Sequence, residues 1–260
     1  MKQIGIIGTA ALLLLLGTTV PAWAQKGKQN QKQNKSDKQE AKGQAKAAKE
    51  EYKEEKKELK ARLSQQRQQQ LITEQQRRVI LYRQYLDNKH LAAQQYSARL
   101  QQEKRMANYR FHQDYLARIH QQQLALQRSY DYNSDPYFYT PSSYRYSRGG
   151  SYYETNEYGA NMLREAVNNG YAEGYRAGQA DQQDRWASDY QNSYAYQDAN
   201  YGYDGYYVNQ ADYNYYFREG FDRGYQDGYN SRTQFGQDLN GSRSILGGIL
   251  TQILNLQSLR

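Results

Sequence analysis

Four regimes of hydrophobic and polar positions follow one another along the chain. The first is a nearly unbroken apolar run from Ile4 to Val20, preceded by Lys2 and followed by Pro21 and Ala22-Trp23-Ala24. A positive start, an apolar stretch and an A-x-A site in that order predict a secretory signal peptide over residues 1–24, with cleavage after Ala24. In the second regime, 25–44, Lys, Gln, Asn and Gly leave almost nothing to bury. Such a segment cannot offset its ordering entropy, so a disordered cationic arm is expected there.

The third regime is periodic. From Ala45 to Tyr130 there is no Pro and no Gly, and Ala, Gln, Lys, Arg, Glu and Leu dominate, which are strong helix formers. Ile72, Val79, Leu86, Ala93, Leu100 and Ala107 keep a seven-residue register, with Tyr82 and Tyr96 three positions after Val79 and Ala93. The seam then shifts to Tyr109, Leu116, Ile119 and Leu126. This pattern predicts a long helix or coiled coil over 45–130 that self-associates along its seam. Asp87-Asn88-Lys89 offers a place for a helical hairpin. Because the heptad passes through it without a slip, a continuous helix is the favoured reading.

Beyond residue 130 the register is lost. Asp135-Pro136, Thr140-Pro141 and Gly149-Gly150 are turn formers, so 131–158 is expected to be an irregular Tyr/Pro/Gly linker. Within 159–232 one pattern is written twice, fifty residues apart: Gly170, Gly174 and Gly178 recur as Gly220, Gly224 and Gly228. Residues four apart share a helix face. The glycines therefore predict a groove on each of two paired helices, beside a ridge of Tyr171 and Tyr175 on one and Phe217, Phe221, Tyr225 and Tyr229 on the other. Three glycines cost a helix about 3 kcal/mol relative to alanine, which close backbone approach would offset. Crossing near −50° is expected, with aromatic rings of each helix lying in the other's groove. The last segment, 233–260, ends in the stripe Ile245, Leu246, Ile249, Leu250, Ile253, Leu254 and Leu256, read as an amphipathic helix. It caps the module or contacts another copy or a membrane surface.

Charge and composition sharpen this division. Residues 1–130 hold 25 basic and 11 acidic groups and 131–260 hold 10 and 16, so +14 and −6 sum to the formal net charge of +8. Twenty-two of the 29 Tyr follow residue 130. Mean hydropathy of −1.14 argues against a conventional enzyme core, and the absence of Cys excludes disulfides, zinc–thiolate sites and thiol nucleophiles.

The two glycine segments, Ala166 to Arg185 with its G-Y-x-x-G-x-x-x-G-x-x-D core and Tyr216 to Arg232 reading Y-F-R-E-G-F-D-R-G-Y-Q-D-G-Y, resemble a domain of uncharacterised exported bacterial proteins, typically acidobacterial. The resemblance covers about residues 160 to 232. It implies export and a small helical tail module, and it carries over no catalytic or ligand residue. Asn192 to Tyr216, unusually rich in Tyr and Asn, departs from that pattern.

The chemistry-bearing residues form no recognisable site. His90, His112 and His120 sit in the Gln-rich helix without the spacing of a zinc site, and read as solvated positions. Asp181, Asp184 and Asp189 lack the alternation and closing Glu of a calcium loop. No phosphate-binding or dinucleotide motif occurs, so no catalytic, cofactor or metal residue is expected. The fold class expected is all-α. The function expected is that of a non-enzymatic structural or interaction protein of the cell envelope, periplasmic or secreted, with no membrane-spanning segment after signal cleavage. The alternative is a binding protein for anionic polymers or carbohydrate, using the Lys-rich arm or the tyrosines and Trp186, without specific recognition of nucleic acid.

Overall fold

The computed structural model describes residues 30–126, 130–132, 134–239 and 242–259. The signal peptide and the first residues of the cationic arm lie outside them. The chain divides into two units, 1–61 and 62–260.

The described part of the first unit is helical. Helix α1 (Asn30–Asn88) begins inside the segment expected to be disordered. Lys, Gln, Glu and Ala, which favour helix, make up most of residues 30–53, and Lys42, Lys46, Lys49 and Lys53 are all exposed. Their spacing of four, three and four puts the four ammonium groups on one face.

The second unit opens with the C-terminal part of α1, followed by α2 (His90–Gln102) and α3 (Met106–Ala125). The long helix is therefore interrupted twice, which corrects the continuous reading. Lys89 keeps helical backbone angles and does not reverse the chain. The reversal lies at Glu103–Arg105. There the Leu100 carbonyl accepts the Arg105 N–H at 2.9 Å, the Gln101 carbonyl accepts the Lys104 N–H at 3.1 Å, and Lys104 takes a φ of +57°, a helix-terminating motif in which glycine is the usual residue. Helix α3 then runs back antiparallel to α2 and the end of α1. His112 Nε2 lies 3.1 Å from the Ala93 carbonyl, Gln113 Nε2 donates to Ser97 Oγ at 3.0 Å, and Gln123 Nε2 donates to Asp87 Oδ1 at 3.2 Å.

The heptad seam is buried from Val79 to Ala107, with Ile72 only half-buried, and the chain itself is its partner. Val79, Tyr82, Leu86, Ala93, Tyr96, Leu100 and Ala107 all lie in the core. The Tyr/Asn-rich segment after residue 192 covers them: Tyr203 packs edge-on against Tyr82 at 4.8 Å, Tyr194 lies tilted against Tyr96 at 5.8 Å, and Gly205 lies on Val79. Of the shifted seam, Tyr109, Leu116 and Ile119 are only half-buried, while Phe111, His112 and Tyr115 carry the buried face of α3.

The body is mostly helical, with two small antiparallel sheets that an all-α reading does not include. The expected linker contains a 3-10 turn, Pro136–Phe138, and strands β1 (Tyr144–Arg148) and β2 (Ser151–Thr155). These pair from Tyr144↔Thr155 to Arg148↔Ser151. Gly149 and Gly150, with φ of +57° and +81°, form the two-residue turn whose twist matches a hairpin. Helix α4 (Glu157–Gln183) starts where Asn156 Oδ1 accepts the N–H groups of Tyr158 and Gly159, an N-cap that satisfies two free donors. After a 3-10 turn and the short α5 (Tyr194–Asp198), α6 (Gln210–Tyr229) pairs with α4.

The segment read as one amphipathic C-terminal helix is instead β3 (Gly236–Leu239), β4 (Ser242–Ile245), α7 (Gly247–Leu254) and β5 (Gln257–Ser258). Strands β3 and β4 pair with each other, and β5 joins the free edge of β1. Strand β4 packs on α4, where the Ile245 N–H donates to Asn168 Oδ1 at 3.2 Å, and α7 docks on α4 and α6. The apolar stripe begins only at Ile245, and the Ser242-Arg243-Ser244 run before it alternates in the period of a strand.

Candidate functional site

The twelve residues marked out by the repeated pattern meet at the α4–α6 contact. The pair is parallel and keeps the fifty-residue offset. A Cβ at Gly170, Gly174 or Gly178 would lie about 2 Å from the carbonyl oxygens of Phe217, Phe221 and Tyr225 (1.9, 2.1 and 2.3 Å), and one at Gly220, Gly224 or Gly228 would lie 2.0–2.1 Å from those of Val167, Tyr171 and Tyr175. No side chain fits at such a separation. The grooves are therefore filled by backbone, where aromatic rings were expected. The rings of α6 stack along their own helix instead: Phe217 on Phe221 at 6.2 Å, Phe221 on Tyr225 at 6.4 Å, and Tyr225 on Tyr229 at 5.9 Å. On α4, the Tyr171 hydroxyl donates to Asp227 at 2.8 Å, and the Arg243 guanidinium lies 4.4 Å over the Tyr175 ring.

Around this pair, buried carboxylates tie one element to another. Glu173 on α4 accepts from Arg118 of α3 at 2.6 Å and from Arg176 at 2.7 Å. Burial raises its pKa, and the two guanidinium groups oppose that rise. Asp181 accepts from Arg105, Asn108 and Tyr225 at 2.5, 2.6 and 2.7 Å. Asp184 accepts the Ala107 and Asn108 N–H groups, both at 2.8 Å, and so caps α3 from a different helix. Asp198 holds Tyr115 at 2.6 Å and Tyr85 at 3.0 Å, Asp212 holds Tyr146 at 2.8 Å and Arg148 at 2.6 Å, and Asp227 also accepts the Gln234 and Phe235 N–H groups at 2.9 and 2.8 Å. Burial first, and the neighbouring carboxylate second, pushes the Tyr115, Tyr146, Tyr171 and Tyr225 hydroxyls up, which keeps them protonated donors.

His112 corrects its sequence reading as a solvated position. It is 1% exposed, wedged edge-on between Tyr96 and Tyr194 at 4.8 Å from each, and burial lowers its pKa to about 4. His90 and His120 are exposed. Trp186, expected as a stacking platform, has the Arg105 guanidinium 4.4 Å over its ring. Among the described residues, no group of three or more His, Asp or Glu is placed to hold a metal ion, and no helix is long and apolar enough to cross a membrane.

Two glutamines escaped the sequence reading. Gln122 donates to Tyr82 Oη at 2.8 Å and accepts the Gly202 N–H at 2.8 Å, and Gln75 accepts the Tyr207 N–H at 3.2 Å while donating to the Gly205 carbonyl. Both hold the Tyr-rich segment on the hairpin, and nothing in a Gln-rich helix distinguishes them from their solvated neighbours.

Two of the recesses among the described residues are formed where elements meet. A groove of about 390 Å³ lies between α2 and α3, floored by Leu86, Ala93, Leu116 and Ile119. A cleft of about 450 Å³ lies between α1, the 3-10 turn and the β1–β2 hairpin. No protein-family model, curated protein or solved structure matches the chain.

Proposed function

We propose that this is a non-enzymatic, exported structural or interaction protein of the cell envelope, in which a rigid Tyr-rich body carries a cationic helix that engages anionic polymer. The observation that carries the reading is the use made of the buried ionisable groups. Glu173, Asp181, Asp198, Asp212 and Asp227 each join two parts of the fold through Arg, Tyr or backbone donors. Carboxylates spent in this way serve as cross-links, whereas catalytic acids and bases face a substrate-accessible cleft with pKa values set for proton transfer. The lysine stripe is free to act on solvent-borne partners. The heptad seam is occupied within the chain, so the stripe, and not the seam, is the surface proposed to face a polymer.

Two measurements test this. Mass spectrometry of the protein from fractionated cells should find an N-terminal peptide beginning at Gln25 in the envelope or medium; Met1 retained on cytosolic protein contradicts export. The purified mature protein should bind dextran sulfate at low salt and lose binding steeply toward ~0.5 M salt as counterions are released. Replacing Lys42, Lys46, Lys49 and Lys53 by Gln should abolish most of that binding. Binding indifferent to both changes would contradict the role given to the stripe.

A further inference from the structure

We infer that the cleft between α1 and the β1–β2 hairpin is a binding site for a neutral oligosaccharide. Its volume of about 450 Å³ falls in the range of roughly 300–1,000 Å³ typical of small-molecule sites. Its lining combines two kinds of group. Tyr137, Tyr139 and Tyr153 supply aromatic surface, and Tyr139 is 51% exposed. Arg67, Glu74, Arg78 and Glu154 supply planar charged groups along the walls.

The balance of these groups sets the ligand class. Two guanidinium groups against two carboxylates leave no net charge, so the cleft has no preference for an anion or a cation. Planar guanidinium and carboxylate groups each make paired hydrogen bonds, the geometry that adjacent ring hydroxyls present. Tyrosine offers an apolar face together with a polar edge, which matches a sugar ring with its C–H face and hydroxyl rim. Glu74 and Arg78 answer each other, and a purely apolar ligand would leave Arg67 and Glu154 unanswered.

The walls are also fixed in place. The Tyr137 hydroxyl donates to the Tyr207 carbonyl at 2.8 Å, and Arg78 is paired with Glu74 at 2.5 Å. Asn156 donates to the Tyr137 and Thr140 carbonyls at 3.0 and 3.2 Å while capping α4, so the loop bearing Tyr139 is anchored at both ends. Pre-organisation of this kind removes part of the ordering cost of binding. The inference does not depend on export or on the lysine stripe, since the cleft lies wholly in the second unit.

The test is calorimetric titration of the full chain with neutral tetrasaccharides of glucose, mannose and N-acetylglucosamine, and with a Pro-rich peptide as a competing ligand class. At least one sugar should bind one-to-one with a Kd of ~1 mM or tighter. Tyr139→Ala should weaken it about tenfold, and the exposed Glu154→Gln should weaken it without affecting folding. Tyr152→Ala, on the same hairpin but outside the cleft, should leave it unchanged, and raised salt should not abolish it. The inference is overturned if no sugar binds at ~10 mM, if binding survives both Tyr139→Ala and Glu154→Gln, or if only the peptide binds. Loss of polyanion binding in the lysine variant, with sugar binding intact, separates this site from the stripe.

Discussion

Single residues in this fold change meaning with their surroundings, and glycine shows it most directly. Gly174 and Gly224 lie against backbone carbonyls, whereas Gly248, in α7, has open space where a Cβ would go. Gly174→Ala and Gly224→Ala gain about 1 kcal/mol of helix propensity but force two backbones apart. A net loss of about 1–3 kcal/mol is expected, and leucine at either site should cost more. Gly248→Ala should instead be neutral or stabilising by up to about 1 kcal/mol. Thermal unfolding of the three variants checks the sign at each site, and a stabilised Gly174→Ala would mean the helices are not in contact. His112 gives a second prediction. Its pKa falls from 6.5 unfolded to about 4 folded, so the unfolded chain binds the extra proton between those values. Stability contributed by neutral His112 is complete above about pH 6.5 and lost as pH falls toward 4, by about 3 kcal/mol. Asp204, raised by burial to about 6, acts in the opposite direction over much of that window, so the total curve hides the effect. The difference between wild type and His112→Phe isolates it: denaturant unfolding should show the wild-type advantage shrinking by about that amount from pH 7 to pH 4. A difference independent of pH would place His112 in solvent.

At the scale of elements, the turn at Lys104 decides between a rod and a hairpin. In a continuous helix Lys104→Gly would cost about 1 kcal/mol. At a left-handed helix terminus, where Lys104 has a φ of +57°, the same change removes a steric penalty of about 1 kcal/mol and should stabilise. The sign of that one change, read from chemical denaturation, separates the two arrangements. The sequence left this turn unmarked because its special position carries Lys in place of Gly, while Asp87-Asn88-Lys89, which looks like a turn, keeps helical backbone angles at Lys89. What was legible had a strong period. The seven-residue seam marked the residues buried on α1 and α2, and the repeated glycines marked the α4–α6 contact, because both patterns reflect one face meeting a neighbour. The β1–β2 hairpin was hidden in the opposite way. Gly149-Gly150 signals a two-residue turn, but Tyr144 and Tyr146 on one flank and the adjacent Tyr152-Tyr153 on the other read as composition before they read as strand.

The whole molecule explains the charge division of the chain. The basic first half and the acidic second half meet at α3 and α4, where Arg118 reaches Glu173, Arg105 reaches Asp181, and Asp184 caps the N-terminus of α3. A seam that resembles a coiled coil is completed by the tyrosines of the same chain, which is why a heptad pattern alone cannot name its partner. Helix α3 folds back on α2 within one chain. The absence of cysteine makes a direct test clean. Ser97 and Gln113 are hydrogen-bonded across the hairpin at 3.0 Å, whereas sixteen residues along a single helix would separate them by about 24 Å. In the double variant Ser97→Cys, Gln113→Cys, mild oxidation of dilute protein should give a monomer with an intramolecular disulfide, seen as a mass loss of two hydrogens and a linked peptide pair. A protein that stays reduced, or that links only between chains, would contradict the hairpin and restore the rod.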